Sequence, residues 1–182
     1  MYERGMLAPA IKLARTGLEI AEALSTETRL LRADLWTTIG GAQLPNPKLA
    51  EDSYQSLKLA LDLRLSAVDA GLMERTHPQI ANSHMSLGTA ALGVGHVQEA
   101  LDLGERSVAL RQGRTDEQVQ MLALSHHNVA LASLTAGRVD KADREIETSM
   151  RISGFTGQSM TPEQKLYAFQ GTAGVVVDTL TT

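Results

Sequence analysis

Three histidines, His84, His126 and His127, are the residues in this sequence whose type and spacing could support chemistry. Histidine binds transition metals and titrates near neutral pH, so the group could form a metal site or a pH switch. A zinc site needs three or four convergent ligands, and no carboxylate lies within one helical turn of His84 or His126. We therefore predict no metal and interpret these two as packed, hydrogen-bonded side chains. His127 points elsewhere and is a candidate for a hydrogen bond to a partner.

No other pattern in the sequence is typical of an active site. Glu99, Asp102 and Glu105 follow at three-residue spacing, and a solvated helix face explains them better than an acid–base pair. Gly93-Val94-Gly95 lacks the preceding strand and the third glycine of a dinucleotide-binding loop, so we expect a turn there. Phosphate-binding, serine-nucleophile and zinc-protease motifs are absent, and the chain has no cysteine. We predict a protein that is not an enzyme and needs no cofactor.

The composition is that of a folded protein with an acidic balance. The 182 residues include 17 Lys plus Arg and 21 Asp plus Glu, which gives a net charge of −4, and 43% are apolar. An acidic chain with 3% aromatic residues lacks the basic surface and the stacking side chains of a nucleic-acid-binding protein. Charges interrupt the N-terminal apolar residues, and no run reaches the roughly 18 apolar residues of a membrane-spanning helix. We therefore expect a cytoplasmic protein that binds neither nucleic acid nor a membrane.

Apolar residues recur at the spacing of three and four that is typical of α-helices, as at Leu57, Leu61 and Leu65. Three predicted helix starts carry the capping-box pattern, in which a threonine is followed three residues later by a glutamine. These are Thr76 with Gln79, Thr115 with Gln118, and Thr161 with Gln164. No linker composition interrupts the chain, so the sequence predicts one all-α domain over residues 1–182.

The strongest feature of the sequence is an internal repeat. Residues 81–111 align without a gap with residues 123–153, an offset of 42, and ten positions are identical. Chance would give about two identities over this length. A helical pattern that repeats at such a period indicates stacked units, each of which buries its apolar face against its neighbour.

The repeated unit resembles the tetratricopeptide repeat, a pair of helices. The segment from Trp36 to Gly40 is similar to the Trp-x-x-Leu-Gly opening of that repeat, and His84 and His126 begin the equivalent segments. The 42-residue period is similar to the longer variant of kinesin light chains. The resemblance is clear over 28–153, with half repeats at 6–25 and 161–180. It implies an all-α, right-handed α-solenoid of about three repeats.

In such arrays one face of each first helix packs on the second helix, and another face lines a concave groove. By repeat position, the resemblance implies that the partner-binding residues are Asp34, Thr37, Asn82, Met85, Thr89, Leu124, His127, Asn128 and Leu131. Almost all of these are apolar or neutral, so we expect an apolar partner segment that is bound through its backbone.

Asn128 is the most specific of these candidates. It precedes Val129-Ala130, as the asparagine does in the Asn-Leu-Ala motif of the 42-residue variant, where the amide holds a bound peptide's backbone. An exposed or helix-capping asparagine is the alternative. Residues 79–94 and 116–136 contain no Lys or Arg, so the carboxylate clamp of chaperone-binding relatives is not expected.

The leading functional hypothesis is a protein–protein interaction module that binds a partner peptide or helix in the concave groove. The alternative is structural. Terminal half repeats leave apolar helix faces, through which the chain could associate with itself or with the rest of a larger signalling or scaffold protein.

Overall fold

The computed structural model describes residues 7–24, 27–113 and 119–154. Within these residues the regular structure is helical, as the sequence predicts. The α-helices are α1 (Leu7–Ala23), α2 (Arg29–Gln43), α3 (Ala50–Asp69), α4 (Pro78–Gly93), α5 (Val97–Arg111), α6 (Val119–Thr135) and α7 (Val139–Ile152), and a 3-10 helix, Pro47–Leu49, precedes α3. None of the described helices is long and apolar enough to cross a bilayer.

The chain divides into two compact units, Met1–His96 and Val97–Thr182, and each is described by itself. The single domain over 1–182 stays a prediction. The first half repeat, predicted at 6–25, corresponds to α1. The last, predicted at 161–180, lies outside the described residues.

In the first unit, α2 packs between α1 and α3. Ala14 and Leu18 of α1 form a buried cluster with Ile39 of α2, and Trp36 packs against that cluster. On the side of α2 that faces α3, the hydroxyl of Ser53 donates a hydrogen bond to the Gly40 carbonyl oxygen over 2.8 Å. This helix pair has the crossing that the repeat requires, with small residues where the backbones approach.

The crossing makes Gly40 intolerant of a side chain. A Cβ placed there would lie 2.6 Å from Cγ of Leu57 and 3.2 Å from the Leu57 backbone nitrogen, so α2 and α3 would have to separate. We expect Gly40→Ala to lower the free energy of unfolding by about 1–3 kcal/mol through overpacking. Gly41→Ala is the matched control, because a Cβ at that position would have no neighbour within 4 Å. Helix propensity should make that variant more stable by about 0.5–1 kcal/mol. Urea unfolding of both variants measures the difference, and equal midpoints would exclude the close crossing.

In the second unit, α6 packs against both α5 and α7. Ala123 and Ala130 of α6 form a buried cluster with Ile146 and Met150 of α7. The Ser149 hydroxyl donates to the Ala123 carbonyl oxygen over 2.6 Å, which mirrors the contact between Ser53 and Gly40 in the first unit. On the other side of α6, a Cβ at Gly104 would lie 2.7 Å from Cγ2 of Val129.

The turn between α6 and α7 follows from its glycine. Gly137 adopts a φ of +71°, and the amide of Arg138 donates to the Ser133 carbonyl while the amide of Gly137 donates to that of Leu134. This pair of bonds is the Schellman arrangement, in which a left-handed glycine satisfies the last carbonyls of a helix. Gly95 ends α4 in the same way at a φ of +84°, so the turn predicted at Gly93-Val94-Gly95 is present.

The predicted cap at Thr76 is wrong by one residue. His77 precedes α4, and its Nδ1 accepts a hydrogen bond from the Gln79 amide over 3.3 Å. Proline at the first helical position keeps the preceding residue out of the helical conformation, which makes His77 the cap. The predicted caps at Thr115 and Thr161 lie outside the described residues.

Candidate partner-binding surface

A buried arginine organises the surface on which the first-unit candidates lie. The side chain of Arg64, on α3, is 5% exposed, and its Nη2 donates to Oδ1 of Asp34 on α2 over 2.6 Å. Its Nη1 donates to Oγ1 of Thr37 over 2.9 Å and to Oγ of Ser83, on α4, over 2.6 Å. One guanidinium therefore joins three helices, and it brings together two predicted site residues, Asp34 and Thr37.

Arg111 occupies the equivalent place in the second unit. It follows Ser107 by four residues, as Arg64 follows Ala60, and it is 2% exposed. Nη1 of Arg111 donates to Oγ of Ser107 over 2.6 Å, and that hydroxyl is 2.9 Å from Oγ of Ser125 on α6. Ser125 is the repeat equivalent of Ser83, so in each unit a buried arginine is linked to the same serine of the next helix.

Sequence reasoning missed both arginines, although a signal was available. Leu57, Ala60, Leu61 and Arg64 are spaced i, i+3, i+4 and i+7, and Gly104, Ser107, Val108 and Arg111 repeat that spacing. Each arginine thus stands on the buried face of its helix. A charge at that position needs a partner, because burying an unpaired ion is costly.

The five predicted residues of the first unit differ in exposure. Asp34 and Asn82 are exposed, whereas Thr37, Met85 and Thr89 are half-buried. The hydroxyls of Thr37 and Thr89 donate to carbonyls of their own helices, those of Ala33 and Met85. Asp34 is committed to Arg64, so the carboxylate predicted to contact a partner already neutralises an internal charge.

In the second unit, Leu124, Asn128 and Leu131 are half-buried along α6. His127, predicted to reach a partner, is buried at 6% exposure. Burial lowers the pKa of His127 from 6.5 to about 4, because removal from water disfavours the charged imidazolium. The side chain is therefore neutral at pH 7.

The other two histidines lie in packing positions, as predicted. His84 is buried. His126 is half-buried, and its Nδ1 lies 2.6 Å from Oε2 of Glu145 on α7, a contact between residues 19 positions apart that spacing along one helix cannot reveal. No cluster of three or more His, Asp or Glu side chains in the described ranges could hold a metal ion.

The charges of this surface favour a neutral partner segment. Helices α4 and α6 carry no Lys or Arg. Arg64 approaches the surface from α3, but its charge is paired with Asp34. A clamp for a free carboxylate needs uncommitted cations, so the described residues offer hydroxyl, amide and apolar contacts instead.

No protein-family model matches the sequence, and no curated protein matches it. Solved structures do match. One is a variant of a Podosopora anserina protein described as a putative kinesin light chain with nearly identical TPR-like repeats; it has a TM-score of 0.69 and 21% identity over 97% of this chain and 84% of that chain. A second structure of these repeats has a TM-score of 0.61 and 20% identity over 99% of this chain and 94% of that chain. The chain therefore has the TPR-like helical-repeat fold.

Proposed function

We propose that the protein is an interaction module that binds a partner peptide or helix on the groove-facing surfaces of its first helices. The TPR-like fold points to protein partners in general. The observation that carries the specific proposal is the partial exposure of Met85, Thr89, Asn128 and Leu131 on the helices that carry no Lys or Arg.

The partner segment follows from the chemistry of these residues. Half-buried Met85 and Leu131 offer apolar contact, while Asn82 and Asn128 each offer a donor and an acceptor. An asparagine amide can pair with both the N–H and the C=O of an extended backbone, so the ligand is recognised through its main chain. Apolar side chains of the ligand then add affinity in proportion to the surface they bury.

The proposal includes a non-enzymatic role in the cytoplasm. A pocket of about 340 Å³ in the first unit is lined by Leu7, Ala8, Ile11, Ala42, Pro45, Asn46, Pro47 and Leu49. No acid, base or nucleophile is among these lining residues. This pocket therefore does not favour catalysis.

Affinity capture from a lysate of the source organism tests the binding mode, with the wild type compared with the double variant Asn82→Ala, Asn128→Ala. We expect the double variant to lose specific partners by at least ten-fold, because hot-spot contacts carry most of the affinity of small interfaces. Both asparagines also make contacts within the chain, so equal thermal midpoints must be established first.

The control is Gln55→Ala, Gln112→Ala, which removes one exposed amide from each unit outside the first helices. This variant should retain the partners. Equal retention by both double variants would move binding away from the asparagines. Partners identified by capture are then retested as synthetic peptides, for which the wild type and the asparagine variant must differ by the same factor.

A further inference from the structure

Helix α1 carries an apolar face that the first unit does not cover. Ala14, Leu18 and Ala21 are its buried residues. Leu13 and Ile20, by contrast, are 75% and 59% exposed, and Leu24 just beyond the helix is 50% exposed. Large aliphatic side chains at this exposure, grouped on one helix, mark an interaction surface.

The exposed residues follow a heptad. Leu13, Thr16, Ile20 and Ala23 are spaced i, i+3, i+7 and i+10, and all four are exposed. This is the a and d spacing by which one helix packs along another. We call these four residues the α1 seam.

Two charges border the α1 seam and distinguish the possible occupants. Lys12 and Glu19 are exposed and stand at the position before each a residue, one heptad apart. In an antiparallel helix pair these bordering positions face each other, whereas in a parallel pair they face the residue after d. That residue is Gly17 here, which offers no charge. The charge pattern is therefore self-complementary only in the antiparallel orientation.

We propose that α1 pairs antiparallel with α1 of a second copy of this chain, about a two-fold axis at Thr16. Leu13 of one copy then lies level with Ile20 of the other, and Lys12 of one copy faces Glu19 of the other. Twofold symmetry forms each contact twice. This surface is separate from the first-helix surfaces of the proposed function, so the two proposals stand or fall independently.

Sedimentation equilibrium of the 182-residue chain over a concentration series tests the dimer. Leu13→Glu should raise the dissociation constant at least ten-fold without changing the thermal midpoint, because Leu13 is exposed in the single copy. Leu59→Glu is the control: Leu59 is also an exposed leucine, at 44%, but lies on α3, and its variant should dimerise like the wild type. A monomer at every concentration, or equal effects of the two variants, would overturn the proposal.

Charge exchange tests the orientation. Lys12→Glu or Glu19→Lys alone should weaken the dimer about three- to ten-fold, since each places like charges together at two symmetric sites. The double exchange, Lys12→Glu with Glu19→Lys, should restore the wild-type dissociation constant within about two-fold. Additive loss in the double variant would contradict the antiparallel pairing.

The absence of native cysteine permits a direct geometric test. Thr16→Cys lies on the proposed axis and should form an interchain disulfide under mild oxidation. Leu13→Cys should not, because three residues from the axis its two copies stand about 9 Å apart along the helices. Efficient cross-linking of Leu13→Cys would indicate a parallel pair, and no cross-link of Thr16→Cys would indicate another occupant, such as a preceding segment of a longer chain. Either result overturns the proposal.

Discussion

Asp34→Ala is expected to lower the free energy of unfolding by about 2–3 kcal/mol, far more than most substitutions of surface carboxylates. Asp34 is 54% exposed, but it is the charged partner of Arg64, whose side chain is 5% exposed. Without it, the guanidinium keeps the hydroxyls of Thr37 and Ser83. The buried positive charge then loses its counter-charge, and this penalty exceeds the loss of a surface hydrogen bond. Denaturant unfolding at pH 7 measures it.

Two variants make this experiment decisive. Asp62→Ala removes an exposed carboxylate of α3 and should cost less than about 0.5 kcal/mol. Arg64→Met removes the buried charge while keeping much of the volume, and it leaves Asp34 accessible to water. The double variant Asp34→Ala, Arg64→Met should therefore be more stable than Asp34→Ala alone, which a double-mutant cycle reveals as coupling. Equal costs for Asp34→Ala and Asp62→Ala would show that the carboxylate does not compensate Arg64.

The same argument affects how the binding surface is probed. Asp34 belongs to the predicted partner-binding set, and loss of binding in an Asp34 variant would mix a structural effect with a contact effect. Asn82 and Asn128 are better probes, because their substitution leaves the Arg64 contacts intact.

The second large effect is a loss of stability in acid that depends on His127. Its pKa is about 4 in the folded protein and 6.5 for an exposed histidine. Between these values the unfolded chain binds a proton that the folded chain does not, so protonation favours unfolding as the pH falls. The contribution of neutral His127 is fully present above pH 6.5 and is lost as the pH falls toward 4. Its loss should amount to about 3 kcal/mol at pH 4.

Comparison with His127→Gln isolates this contribution, because the carboxylates titrate in both proteins. Glutamine is neutral at every pH, so the difference in unfolding free energy between the two proteins should change by about 3 kcal/mol from pH 7 to pH 4. Chemical unfolding at half-unit pH steps measures it. Parallel curves over this range would mean that the imidazole is accessible to protons in the folded state.

Much of the architecture follows from periodicity alone. The 42-residue offset, the helical spacing and the small residue at Gly40 predict paired helices, because only small side chains permit the observed crossing with Leu57. Gly137 predicts its turn because glycine adopts a left-handed conformation at little cost. The cap at His77 could also have been predicted, since proline at the first helical position defines the residue before it as the cap. Such features depend on residues close together in the sequence.

Only the tertiary structure decides which side chains meet. Arg64 contacts Asp34, 30 residues before it, and Ser83, 19 residues after it. Helical periodicity gives the direction of a side chain around its own helix, but neither its reach nor the group opposite. For that reason Asp34 could be assigned to an exposed face while its commitment to a buried guanidinium stayed hidden. Likewise the repeat position of His127 was known from the sequence, but its burial is set by the helices packed around it.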